Sequence, residues 1–438
     1  MKNNQSQTLA CVLFFVVIFS VASVTQAAKG QVVSPTSTDS SQFSWPMFHY
    51  DVAHSGATDS PAPSTNNLLW RFKTGGKVDS SPAVVDGRVF FGSYDFSVYC
   101  LNATTGEQIW SYATGNWFFF ASPTVVDDKV YIGSGDQYVY CFDALNGSLI
   151  WRFKTEWEVT SSPVIVDGRV YIGSADNYIY CLNADTGEQI WRYKAEGFIS
   201  SPPSVVDGKV FVGGWDPGYK FYCLDAAKGT LLWSYKTQGV ITGAAAVVGG
   251  RVFVGQHSVP GRIYCLDEDN GDLIWDYQLV LSVINSPAVA NGNVFAGSWD
   301  KFVYCLDAVD GSLVWRFQTG GPVLCSPAIA DGKVFVGSDD KFLYCLDQKT
   351  GGMIWKYQTG SNVKSSPAIV DGKLYVGSED GYLYCFGPGV GILPQSYETV
   401  SSPIQLYTTI AASIVAVGLI GGYLFVRIRR KSKDSASA

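Results

Sequence analysis

Residues 161–191 read SSPVIVDGRVYIGSADNYIYCLNADTGEQIW. Four short runs stand out: SPVIVD, RVYIGS, YIYCLN and, continuing past Trp191, EQIWRYK. Each is rich in β-branched and aromatic residues and is bounded by turn residues, which is the pattern of strands. Asp167-Gly168 is a two-residue hairpin signal, because such turns need positive φ and glycine takes it at no steric cost. Ser174-Ala175-Asp176-Asn177 makes the second turn and Asp185-Thr186-Gly187 the third. The runs are lettered A to D in chain order.

The unit returns every 40–42 residues. One series is Trp70, Trp110, Trp151, Trp191, Trp233, Trp275, Trp315 and Trp355. A second is Cys100, Cys141, Cys181, Cys223, Cys265, Cys305, Cys345 and Cys385, and a third runs from Gly92 to Gly377. Four strands per repeat of about 40 residues is the signature of a propeller blade. The first recognisable strand is a lone D run at 67–73, and the last copy stops after its C run at Tyr384-Cys385-Phe386. The chain start therefore supplies the strand that the last blade lacks, which leaves no open sheet edge. The prediction is an all-β, eight-bladed β-propeller over 68–386, closed by an N-terminal strand. Residues 45–67 form a lead-in.

The two ends read differently. Lys2, the apolar run Leu9–Val24 and Thr25-Gln26-Ala27-Ala28 have the layout of a signal peptide over 1–28. Residues 29–44 read as a flexible leader. Residues 406–426 carry no charge for 21 positions, enough to span a bilayer as a C-terminal transmembrane helix, and 387–405 is the linker to it. Arg427, Arg429, Arg430, Lys431 and Lys433 follow, so the tail 427–438 is expected in the cytoplasm and the propeller outside the cell.

Charged residues make up 16% of the 438-residue chain and aromatics 14%, which excludes disorder for its bulk. Lys2 and the five tail residues remove six of the 31 bases, and Asp434 removes one of the 38 acids, leaving an exterior of net charge −12. An acidic exterior repels polyanions, and no nucleic-acid partner is expected.

The unit D-G-x-V-Y-x-G-S-x-D…Y-C-L-D-A-x-x-G-x-x-x-W resembles the PQQ-type propeller repeat family. Gly187 and Trp191 match its blade-docking motif, and Trp45–Gly56 is similar to the lead-in of secreted members. One branch of that family implies a dehydrogenase with pyrroloquinoline quinone and calcium in the central channel. The other implies non-catalytic scaffolds similar to the outer-membrane assembly lipoprotein BamB. The chain has no vicinal Cys-Cys pair, no blade insertion carrying a Glu/Asn/Asp calcium cluster, and no lipidation cysteine after the signal. The BamB-like branch is the better match, with no cofactor expected; quinone and calcium belong to the dehydrogenase alternative alone.

No catalytic or metal-ligating set is assigned. His49, His54 and His257 show no ligand spacing, and the two in the lead-in are expected to pack or cap. The eight repeated cysteines are expected to be free and buried. The repeated Asp95, Asp136, Asp176, Asp300, Asp340 and Asp380 are expected to bond their own turns. Asn102 and Asn146 open N-glycosylation sequons at C–D turns.

The surplus aromatics carry the functional signal. Trp117 and Trp157 fall in D–A connections, and Trp215 and Trp299 in B–C turns. Antiparallel strands put both kinds of loop on one face, together with Phe118, Phe120 and His257. Clustered exposed aromatics mark binding surfaces, so this face is expected to take a protein, peptide or glycan. Aligned on the proline of strand A, one rim position holds Asp79, Phe120, Thr160, Ile199, Ile241, Ile284, Leu324 and Lys364, and Asp79 is expected to pair with Lys364. The reading is a cell-surface binding or scaffolding module. The alternatives are a quinone-dependent dehydrogenase and a structural spacer in a surface layer.

Overall fold

The computed structural model describes residues 43–116, 121–215 and 217–389. In blade 3 the four strands are Val164–Val166, Arg169–Gly173, Tyr178–Asn183 and Gln189–Lys194. Strands B and C are buried along nearly their whole length, because neighbouring blades cover both faces of each sheet. They therefore read as near-continuous apolar runs. Strand D, on the outside, alternates buried and exposed positions. Asp167 and Gly168 both have positive φ, 50° and 68°, as the hairpin signal required.

Eight such sheets form the ring. The last is closed by the chain start: Leu68–Lys73 pairs antiparallel with Tyr382–Phe386, with Trp70 opposite Cys385. That is the closure the lone D run predicted. In every other blade the repeated tryptophan likewise lies opposite the repeated cysteine, as Trp191 does with Cys181. The cores lie between blades. Tyr131, Cys141 and Trp151 of blade 2, for example, share one cluster with Val170, Ile172 and Tyr180 of blade 3.

Each repeated tryptophan docks on the next blade. Trp151 donates its indole N–H to the Ala184 carbonyl at 2.9 Å, and its ring lies against Gly187. A Cβ on Gly187, where φ is +73°, would come within 2.6 Å of the Trp151 ring. Only glycine satisfies both the left-handed turn and the contact. Trp355 of blade 7 has no C–D turn ahead of it and reaches the Pro63 carbonyl of the lead-in instead, at 3.4 Å.

The lead-in is a belt along the inner edge of the A strands. Trp45 bridges Val84. The carbonyls of Pro46, Val52, Ala53, Ser55, Gly56 and Pro61 accept from Val125, Val205, Val247, Val289, Ile329 and Gly372. Ala57–Thr58 adds a parallel fifth strand to blade 7. Met47 packs in the core cluster that includes Val164 of blade 3, so the belt engages all eight blades. His49 and His54 are buried in it, each with a backbone carbonyl at both ring nitrogens.

The nine described cysteines are free and buried, and burial pushes the Cys181 thiol up to about 12. Each repeated aspartate holds its own turn, and most also reach the incoming connection. Asp176 accepts from Tyr178 N–H at 3.0 Å, the Tyr180 hydroxyl at 2.7 Å and Glu156 N–H at 2.9 Å. The signal, most of the leader and of the linker, the 406–426 segment and the tail lie outside the described residues. Among those described, no helix is long and apolar enough to cross a membrane.

Candidate functional site: the mouth of the central channel

Inside the ring, the D–A connections and B–C turns surround a cavity of about 680 Å³. Its lining comes from Asp79, Trp157, Thr160, Ser200, Thr242, Ile284, Leu324 and Lys364 of the connections and from Ala175, Trp215 and His257 of the turns. Phe48 of the belt also lines it, so the lead-in floors the channel.

A circuit of hydroxyls runs around the wall. Ser81 N–H donates to Ser122 Oγ, Ser122 to Ser162, Ala244 to Ser286, Ser286 to Ser326, Ser326 to Ser366 and Ser366 back to Ser81, all at 2.8–3.0 Å. The circuit is open only on either side of Pro202, which brings neither a hydroxyl for Ser162 N–H nor an N–H of its own toward Ala244, itself without a hydroxyl. The repeated Ser-Ser-Pro was visible in the sequence as the signal for it, and went unread.

The aromatics gather on the same side as that gap. Phe198 stacks on Trp215 with ring centroids 5.7 Å apart, Trp215 meets His257 edge-on at 5.2 Å, and His257 stacks on Trp299 at 6.4 Å. This row covers blades 4 to 6, held by main-chain bridges from Phe198 to Trp215 and from Val240 to His257. Trp157 lines the cavity and is 57% exposed. Burial lowers the His257 pKa, so the ring is neutral near pH 7. Phe198 was missed because an Ala-Glu-Gly-Phe connection reads as an ordinary loop. Trp117, Phe118 and Phe120 lie outside the described residues. Asn102 and Asn146 sit at C–D turns, where each side-chain oxygen accepts a main-chain N–H of its own turn.

Two expectations about the rim are corrected. Ile199 and Ile241 are not rim residues; they are buried against Gly173 and Gly213. The rim position in those blades is held by Ser200 and Thr242. The Pro202-Pro203 doublet and the proline-free Ala244-Ala245 shifted the alignment by one. Nor does Lys364 pair with Asp79. Its ammonium bonds Glu379 Oε1 at 2.9 Å, and Lys77 bonds the same oxygen at 2.9 Å. Glu379, on the B–C turn of blade 8, thus draws both lysines. Burial works to raise its pKa, but the two ammonium groups outweigh that and hold it below the usual range. Asp79, buried and hydrogen-bonded by Tyr94, is pushed up to about 6, by burial first and by Glu379 second. The mouth is therefore lopsided, aromatic over blades 4 to 6 and ionic where the ring closes.

The cavity's two carboxylates, Asp79 and Glu158, enter from connections into different blades. Among the described residues no three carboxylates, imidazoles or thiols are grouped as ligands for a metal ion. Asp79 and Glu158, reaching in from different blades, do not by themselves supply the Glu/Asn/Asp set that the dehydrogenase alternative asks for.

Tryptophan-docked, four-stranded blades in a closed ring of eight define a PQQ-type propeller. Four overlapping matches, at 59–156, 135–279, 221–325 and 300–426, are to the family model described as outer membrane protein assembly factor BamB, and the chain belongs to that family. Similar solved structures include BamB from Moraxella catarrhalis, at 17% identity and a TM-score of 0.64, covering 74% of this chain and all of that one. The quinohemoprotein alcohol dehydrogenase of Comamonas testosteroni is 17% identical with a TM-score of 0.67, over 81% of this chain and 82% of that one. A europium-containing methanol dehydrogenase is 14% identical with a TM-score of 0.67, over 79% of this chain and 98% of that one. At these identities the likeness is one of fold. No curated protein sequence matches the chain.

Proposed function

We propose that this protein is a non-catalytic binding module that captures a partner polypeptide at the aromatic mouth of its channel. The observation that carries this reading is the cavity of about 680 Å³, floored by the belt and walled on one side by exposed Trp157, Trp215 and Phe198. Sites of this size and lining hold ligands through a few apolar anchors and a small number of polar contacts. The uncharged 406–426 run and the basic tail support a single-pass anchor with the propeller outside the cell. Strand C of the last blade ends at Phe386 on the C–D side, so the chain leaves for the membrane from the face opposite the cavity. The mouth then points away from the bilayer.

The test is cross-linking and capture from native membranes with the full-length chain and two variants. Trp215→Ala/Trp299→Ala should lose the captured partner at least tenfold, since anchors of this kind are worth about 2 kcal/mol or more each. Leu145→Ala, on an exposed C–D turn, should keep it. Equal capture by all three proteins, or alcohol oxidation on adding quinone and calcium, would overturn the reading.

A further inference from the structure

Ring closure completes every sheet, yet each blade still ends outward in a D strand that has, among the described residues, a neighbouring strand on one side only. Such an edge offers unpaired main-chain N–H and C=O groups to any other extended chain, and natural sheets guard it with charge, lysine above all. Here the guard stands at two positions of strand D, the first and the third after the repeated tryptophan. Blades 2, 3 and 8 fill both with arginine and lysine, as Arg192 and Lys194 do in blade 3. Blades 4, 6 and 7 fill one of the two, with Lys236, Arg316 and Lys356. Blade 5 has Asp276 there, in an ion pair with Arg262.

Blade 1 has no such guard. Its strand D, Gln108–Ala113, reads QIWSYA and carries no charge, with Ser111 and Ala113 at the guarded positions. A second difference lies beside it. In blade 3 the Arg192 guanidinium covers the Tyr178 ring, 4.3 Å from its centroid, and the same cover recurs in blades 2, 6, 7 and 8. Tyr178 lies opposite Lys194. The matching pair in blade 1 is Ser97 opposite Ala113, two small side chains. The bulky cationic layer over the outer wall is therefore missing, and the edge is flat as well as neutral. Gln108, Ile109, Ser111 and Ala113 are exposed, Ile109 at 45%.

We infer that strand D of blade 1 is a docking edge for an extended, uncharged segment of another polypeptide, which joins the sheet as a further strand. Main-chain hydrogen bonds along about 20 Å of strand hold the segment. Ile109 offers an apolar contact to a side chain of the incoming strand. The other seven edges refuse the same segment, because docking would strip their charges of water. The edge lies on the outer wall, apart from the channel mouth, and stands or falls independently of the binding reading above.

The probe is a fluorescein-labelled cyclic hairpin peptide that presents the strand Thr-Val-Ile-Val-Thr, backed by a lysine-rich strand for solubility; cyclisation holds it extended. The control peptide has the same charge but carries N-methyl groups on the outward amides of the presented strand. Fluorescence anisotropy with the full-length protein in detergent should show one saturable site for the probe and binding at least tenfold weaker for the control. Ser111→Lys/Ala113→Lys, which copies the guard of the neighbouring blades, should weaken the probe at least tenfold. Arg192→Ser/Lys194→Ala, which removes the guard of blade 3, should raise the stoichiometry from one to two, a gain that damage to the fold does not produce. No binding by the parent, equal binding of the N-methylated peptide, or unchanged binding in Ser111→Lys/Ala113→Lys would overturn the inference. A parent dimer that Ser111→Lys/Ala113→Lys dissociates, with no binding of the probe, would give the edge to a second copy of this chain and overturn it too.

Discussion

The belt should make the protein acid-labile in a measurable way. His49 is buried, with the His54 carbonyl at one ring nitrogen and the Pro327 carbonyl at the other, 2.7 and 3.1 Å away. A neutral imidazole donates to only one of them, so the second carbonyl favours the charged ring. Burial opposes this and is the larger effect, and the neighbouring His54 adds to it; together they lower His49 from its ordinary 6.5 to about 3. The folded state thus holds the neutral ring. Its contribution to stability is whole above about pH 6.5 and is lost as pH falls toward 3, because only the unfolded chain takes up the proton. At pH 5 the loss from one such residue is about 2 kcal/mol. Burial lowers His54 as well, so the whole belt loses more than that. Urea unfolding followed by tryptophan fluorescence at pH 7.5 and pH 5 should show His49→Gln losing about 2 kcal/mol less stability than the parent across that interval. Equal losses, or an NMR titration placing His49 at or above 6.5, would refute the reasoning and show that the paired carbonyls outweigh burial.

Other consequences follow from the repeats. Gly187→Ala combines a left-handed turn with a Cβ 2.6 Å from the Trp151 ring, so thermal unfolding should register a loss of about 2–4 kcal/mol. Asp128 holds φ 55° where all seven other A–B turns have glycine, and Asp128→Gly should raise stability by about 0.5–1 kcal/mol in the same assay. The nine described cysteines should be silent to a thiol reagent in the native protein and react together on unfolding, since all are buried and burial pushes the Cys100 and Cys325 thiols up to about 12.

The ring was legible because its determinants are local and repeated. Trp–Gly docking and the Trp–Cys register recur at one spacing, and the displaced D run at 67–73 announced the closure that pairs Trp70 with Cys385. The mouth was legible as a face but not residue by residue. Trp215, His257 and Trp299 do come together, because strand alternation fixes which loops share a face. Ile199 and Ile241 were misplaced because the proline used as a ruler is doubled in one blade and missing in the next. The pairing of Lys364 with Glu379 turns on a side chain from another loop, a matter of three-dimensional reach. The belt left no periodic trace at all, since its bonds to the A strands are made by backbone carbonyls, which carry no side-chain signature.

The central claim is that a partner docks in the aromatic mouth of the channel. A photo-reactive phenylalanine analogue placed singly at positions 157, 198, 215 and 299, and at position 145 on the opposite face, tests it most directly when the full-length protein is irradiated in intact host cells. The account predicts cross-links to one polypeptide from the first four positions and none from the fifth. Cross-links confined to position 145, or spread evenly over both faces, would contradict it.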